Sequence, residues 1–254
     1  GGADVPGGLN AFATADALAS ELQTFVHGMT LVRYDADLTP VPWLAEGWEL
    51  SDDGSSLTFR LRGDVYWHDG ERTDAHDVAF TFLRMSDPRT GYPNGAFWAP
   101  YLASAQGSGD AEGESRWGPG AGAVEVLDSL TVRFTFVPHA EPLDAWRAVA
   151  VMPEHLLADV PPEELATHPV GTVCPVGNGP FVFREYLPSS AWRFEANPGF
   201  PRELGGPPAV QRLVYRVIPE AGTLLAEFQG GGVHVYLSVL PDHAARIGQM
   251  NDAH

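Results

Sequence analysis

Lysine does not occur among the 254 residues. All fifteen basic side chains are arginine, against 33 acidic ones, and the formal net charge is −18. A field of that sign repels polyanions, which excludes nucleic acid as a partner and opposes an anionic membrane surface. An acidic, soluble surface accounts for the charge; attraction of cationic solutes or adaptation to salt would leave the same composition. Cysteine occurs once, at Cys174, so no intramolecular disulfide can form. Its neighbours Val173 and Pro175 are uncharged and the stretch is loop-like, so a thiolate would find neither a base nor an electropositive setting. The thiol reads as structural or incidental. No run approaches the roughly 20 apolar residues that span a bilayer. No basic–apolar–small leader begins the chain, and Gly1-Gly2-Ala3-Asp4 reads as the interior of a processed or trimmed polypeptide. There is no Gly-x-Ser-x-Gly elbow, no His-Glu-x-x-His and no Walker-type loop. Gly177-Asn178-Gly179 is too short for a dinucleotide fingerprint and opens a strand.

Glycine (28) and proline (22) are both frequent, which favours turns and strands over a helical bundle. A chain of this length holds one large or two modest domains. The most informative stretch runs from Val41 to Phe82. Trp48-Glu49-Leu50 and Leu57 to Arg62 read as hairpin arms around Asp52-Asp53-Gly54, with Leu57, Phe59 and Leu61 on a buried face and Thr58, Arg60 and Arg62 on a wet one. A turn at His68-Asp69-Gly70 follows. Thr73 or Asp74 then caps a helix whose apolar side carries Val78, Phe82 and Met85.

Upstream, Leu18, Ala19, Leu22, Phe25, Val26 and Met29 recur at helical spacing, which predicts a helix over 16–30 with one buried face, capped by Thr14 or Asp16 and ending near Gly28. Downstream, 124–127 and 130–136 read as strands, 142–149 as a short helix, and Met152 to Leu157 as the start of another. Residues 161–175 read as irregular. Strands are expected at 181–183, 192–196, 212–217 and 233–237, with a helix at 221–229 stopped by Gly230-Gly231-Gly232.

His68, Glu71, Asp74, His76 and Asp77 have the residue types of a metal site. The two histidines lie eight apart across a turn and a helix cap, so a solvated turn and cap is the better reading. Glu163-Glu164, Glu125/Asp128 and Glu112/Glu114 are paired carboxylates, but a glycosidase needs its pair roughly 5–10 Å apart across a sugar ring, and sequence proximity does not supply that.

The landmarks, taken in order, resemble the family 5 extracellular solute-binding proteins, the peptide- and nickel-binding receptors of ABC importers. Leu44-Ala45-Glu46-Gly47-Trp48 is similar to the family's Leu-Ala-Glu-x-Trp. Asp53-Gly54 with Phe59-Arg60-Leu61-Arg62 resembles its turn and strand, and His68-Asp69-Gly70 with Asp77-Val78 its next turn and helix start. Val132 to Phe136, Met152 to Leu156, Gly177-Asn178-Gly179-Pro180-Phe181 and Asn197-Pro198-Gly199-Phe200 continue the series. The likeness runs from about Leu9 onward. Departures are Asn178 where threonine is commoner, Pro201 where tryptophan is usual, and Gly231-Gly232-Val233-His234 in place of an acidic Gly-Glu-x-Asp.

The resemblance implies an α/β, periplasmic binding protein-like fold of type II, in the large three-domain class. Residues 1–38 and 168–254 would form a first lobe with a mixed sheet, and 39–167 a small inserted α+β domain. Relatives are about twice as long, so the second lobe would be absent here. The implied function is capture of oligopeptides or a similar small solute, without bond breaking, for delivery to a membrane permease. Implied ligand-facing residues are the loop Asn10, Ala11, Phe12, Ala13 and Thr14, largely through its backbone, and the aromatic patch Phe97, Trp98 and Tyr101. Core packing of the small domain is the equal alternative for Phe97 and Trp98. The resemblance further implies no cofactor and no metal, a monomer, and a membrane-anchored lipoprotein in the periplasm or outside the cell. Rival classes are a secreted carboxylate-dependent hydrolase, which two perturbed acids in a deep pocket would favour, and a non-transport binding or signalling module on the same fold.

Overall fold

The hairpin expected from arms at 48–50 and 57–62 is present, with a first arm that begins earlier, at Ala45, and a second that is shifted back by one residue. In the computed structural model, which describes residues 8–13, 17–93, 123–135, 149–171, 173–237 and 239–251, strand β3 (Ala45–Leu50) pairs antiparallel with β4 (Ser56–Leu61), with Trp48 opposite Phe59. Gly54, at φ 68°, makes the left-handed step that the turn needs. The Asp53 carboxylate accepts from the Ser51 and Ser55 hydroxyls and the Ser55 amide, and these bonds lower its pKa to about 2. Leu57, Phe59 and Leu61 are buried as expected. Arg62 is not on the wet face. The strand ends at Leu61, and the Arg62 amide instead donates to the Leu44 carbonyl. Its side chain is buried, with the guanidinium held by Asp64 and Glu203.

A second hairpin, β5 (Val124–Asp128) and β6 (Thr131–Thr135), extends this sheet in the order β3-β4-β6-β5. Against it packs helix α2 (Ala75–Ser86), where Phe82 meets Phe134 edge-on at 5.0 Å between ring centroids. The cap is Asp74, whose carboxylate accepts from His76 N, while Asp77 accepts from Asp74 N in return. The helix was expected to bury one face. Ala75 and every residue from Asp77 to Ser86 are buried, because the side away from the sheet is covered too: Phe12 packs on Phe80, and Arg84 reaches the carbonyls of Ala158 and Val160. Thr81 and Ser86 are tolerated inside because their hydroxyls bond to Asp77 O and Phe82 O one turn back.

The helix expected over 16–30 is shorter and of two kinds. α1 (Ala17–Glu21) runs into a π-helical turn, Leu22–His27, which Gly28 closes by donating to Gln23 O, five residues back. The wider turn rotates the buried face. Phe25, expected inside, is 61% exposed, and Gln23, Thr24 and His27 are buried instead. The proposed caps Thr14 and Asp16 lie outside the described residues, as does nearly all of the helix expected at 142–149. Strands β1 (Val32–Tyr34) and β2 (Pro40–Pro42) pair around the expected turn, where Asp35 accepts from the amides of Asp37 and Thr39. Within 161–175, read as irregular, lies a single-turn helix, α4 (Pro162–Leu165), which follows the similar α3 (Glu154–Leu157).

The last segment forms an antiparallel sheet in the order β7 (Phe181–Leu187), β8 (Ala191–Ala196), β9 (Arg212–Arg216). Helix α5 (Ala221–Gln229) follows, N-capped by Glu220. Residues 233–237 do not form the expected strand. The amides of Gly232 and Val233 both turn back to Glu227 O at the end of α5, so the chain leaves the helix bent rather than in a ladder. Helix α6 (Pro241–Asn251), which the sequence reading did not anticipate, closes the described chain.

Two main cores result. One gathers α2, its four-stranded sheet and residues 149–170. The other gathers Trp192, Phe194 and Tyr215 with Ala19 and Leu22. The loop 8–13 belongs to both: Leu9 packs in the second, Ala11 and Phe12 in the first.

Candidate functional site

The loop 8–13 is held from three directions. Gln23, buried in the π turn, donates from Nε2 to Gly8 O at 3.0 Å and to Asn10 O at 3.3 Å. Asn10 donates from Nδ2 to Leu165 O at 2.7 Å, and its Oδ1 accepts from Phe12 N. Leu9 N donates to Gly171 O. The Asn10 amide is therefore engaged in the fold, and the Phe12 ring is fully buried, edge-on to Phe80. Ala13 is half-buried, with its amide on Asn10 O. These side chains face inward, and the backbone is what the loop can present. Thr14, Phe97, Trp98 and Tyr101 lie outside the described residues.

The other end of the same π turn meets the Gly177–Gly179 turn. Gly179 N donates to His27 O at 2.9 Å. A Cβ on Gly177 would lie 2.1 Å from His27 O, and one on Gly179 2.7 Å from Gly28 O, so both positions are confined to glycine by proximity. His68, expected in a solvated turn, belongs to this junction. Its amide donates to Gly177 O, its Nε2 lies 3.0 Å from Gly179 O, and its ring packs against His27 at 5.2 Å. It is drawn in because the His68-Asp69-Gly70 turn is pinned by the glycine turn beneath it. Neither nitrogen of the buried His27 has a well-formed hydrogen bond among the described residues, nor does His68 Nδ1. Burial, and then the neighbouring His68, hold His27 well below the ordinary imidazole value, with the Phe181 backbone acting the other way. Burial lowers His68 as well.

Asn178 is buried and donates to Thr73 Oγ1 at 3.2 Å, which links the glycine turn to the α2 cap. There Asp77 accepts from Trp67 Nε1, Asp74 N and Glu154 N. Burial pushes its pKa up to about 6, against those three hydrogen bonds. The sequence places Asp77 in a solvated cap at a helix start; its donors from outside the cap, Trp67 Nε1 and Glu154 N, are not visible in local sequence. His76 is exposed, and among the described residues no group of three or more His, Cys, Asp or Glu is arranged to hold a metal ion. Of the paired carboxylates, Glu125 faces Arg133 and Asp128 accepts from Leu130 N, while Glu163 and Glu164 sit exposed on α4. Cys174 is exposed, in the loop that leads to this junction.

The β7–β9 sheet, the π turn and residues 232–237 enclose a groove of about 1190 Å³. Its wall is apolar where Leu22, Val26 and Tyr215 contribute. It is charged where Arg184 pairs with Glu195, Arg193 with Glu185 and Arg216 with Glu227. No motif announced this groove, because its walls come from segments far apart in sequence.

Three comparisons bear on this geometry. The profile of the bacterial extracellular solute-binding proteins, family 5 Middle, matches residues 39–253. The chain is 32% identical over 249 residues to the probable di/tripeptide-binding protein 5 of Pseudomonas aeruginosa, across 91% of this chain and 42% of that protein. In structure it is similar to the oligopeptide-binding protein AppA of Bacillus subtilis, solved with a nonapeptide: TM-score 0.76 and 23% identity, over 91% of this chain and 41% of that one. It is also similar to NikZ of Campylobacter jejuni, solved with Ni(L-His), at TM-score 0.72 and 25% identity, over 91% and 41%. The chain thus spans about two fifths of the length of the relatives named here.

Proposed function

The chain belongs to the bacterial extracellular solute-binding proteins of family 5, and from that premise we propose that it captures peptides as part of the receptor of an ABC importer. The observation that carries the reading is the identity to a di/tripeptide-binding protein along 91% of the chain. The likeness in fold to a receptor solved with a nonapeptide supports it. The fold is mixed α/β and periplasmic binding protein-like, and the chain spans part of it.

In this reading a peptide lies across the loop 8–14 and is held mainly by main-chain hydrogen bonds, so that its side chains can vary. Asn10, Phe12, Ala13 and Thr14 shape that loop, with Asn10 and Phe12 acting from inside the fold to fix its path. Phe97, Trp98 and Tyr101 supply an aromatic wall from the inserted domain. The domain runs from residue 39 to 167, between first-lobe segments 1–38 and 168–254. Ligand favours a closed arrangement by its differential contacts, and the closed receptor docks on a membrane permease. No bond is broken and no cofactor or metal takes part. The receptor works as a monomer, anchored by lipid in the periplasm or outside the cell; among the described residues no helix is long and apolar enough to cross a membrane.

Titration calorimetry on the full polypeptide with unlabelled di-, tri- and nonapeptides tests the proposal. Saturable binding with one site per chain is expected. Turnover of any of these peptides, or no heat from all of them, refutes it.

A further inference from the structure

The turn that lines the groove also grips the loop. Leu22 and Val26 face the groove, while Gln23 between them points the other way, buried, with its carboxamide nitrogen shared by Gly8 O and Asn10 O. Its backbone oxygen accepts the Gly28 amide that closes the π turn. Asn10 O accepts a second bond, from Ala13 N, so the loop is wound tightly where Gln23 holds it. A core position asks only for volume, and leucine or methionine would fill this one. A donor aimed at two main-chain carbonyls does something else: it fixes which way those peptide planes face, and so which main-chain groups of the loop are left for other partners.

We propose that Gln23 is a positioning residue for ligand, setting the backbone path of loop 8–13 without touching the bound molecule. The proposal rests on the reading that this loop faces a bound peptide. It extends that reading to a residue outside the loop, on a rare helical turn of the kind that recurs at functional sites.

Two variants of the full polypeptide test it, with trialanine and an alanine nonapeptide as probes. Gln23→Met keeps the volume and removes both bonds, so affinity is expected to fall about tenfold, the scale of one net hydrogen bond. Its thermal midpoint should fall by a few degrees as well, since the Gly8 carbonyl loses its donor, so affinity is compared well below the unfolding transition. Gln23→Glu sets a carboxylate against two carbonyl oxygens at pH 7.5. Binding should weaken further there and recover as the pH is lowered toward 5, where the protonated carboxyl can donate one bond. Loop 8–13 carries no titratable side chain, and His27 and His68 are common to wild type and variant, so the wild-type pH profile is the control against which position 23 is read. Unchanged affinity in Gln23→Met, or one pH profile for Gln23→Glu and wild type, overturns the proposal while leaving peptide capture standing. A wild type that binds neither probe overturns both.

Discussion

Buried titratable groups set the pH behaviour at the scale of single residues, and they act in opposite directions. The pKa of Asp77 is raised from 3.8 to about 6, chiefly by burial. A group whose folded value is raised contributes stability that is complete below its ordinary value and is lost as the pH rises through about 6. His27 and His68 are held below 6.5, so their contribution is present above that value and is lost as the pH falls below it. The two windows overlap, and single variants separate them. In Asp77→Asn, the NH₂ meets two donors if it takes the place of Oδ2 and one if it takes the place of Oδ1; chemical unfolding at pH 7.5 should show a loss of about 2 kcal/mol. In His27→Leu, the acid side of the stability profile should begin to fall at a lower pH than in wild type, and a profile that does not move would mean that the buried imidazole stays neutral for another reason. Gly177→Ala must push a methyl toward a carbonyl oxygen 2.1 Å away, so it should lose about 3 kcal/mol in urea unfolding, whereas Gly47→Ala, with open space around it, serves as the neutral control.

Elements made by short-range signals were legible from the sequence. The β3–β4 hairpin follows from alternation and an Asp-Gly turn, and α2 from its cap. Asp74→Ala should therefore cost about 1 kcal/mol, read from the unfolding midpoint, because the His76 amide loses the carboxylate that caps it. Elements that depend on distant partners were not legible. Helix 16–30 was found but not its π turn, since an extra residue in a helical turn leaves the apolar spacing readable and only rotates the face; Phe25 outside and His27 inside are the result. Val233 to Leu237 alternates as a strand should, yet the end of α5 takes its first amides. The site divides the same way. Loop 10–14 enters the candidate site through the family resemblance, and the glycine turn reads in sequence only as a turn opening a strand, whereas Gln23, the His27–His68 contact and the groove come from residues brought together only by folding.

At the scale of the whole molecule, loop 8–13 joins the two main cores, because Leu9 is rooted in one and Phe12 in the other. The described junction between them has little slack: Gln23 fastens the loop, Gly179 fastens the π turn, and Asn178 reaches the α2 cap. A ligand seated on the loop should stabilise both cores together. At a hundredfold excess over its dissociation constant, a bound peptide should add about 2.7 kcal/mol to the unfolding free energy. The gain should appear as one shifted transition by calorimetry rather than as a shift in half of a split one.

The exposed thiol of Cys174 lends itself to spectroscopy. It sits in the loop that feeds the glycine turn, and it is the single cysteine of these 254 residues, so a maleimide dye can be directed to it. One fluorophore attached there would report on strain at the junction in real time. A change in its emission when peptide is added, abolished by Gln23→Met, would follow the signal from the loop to the turn without crystals or heat.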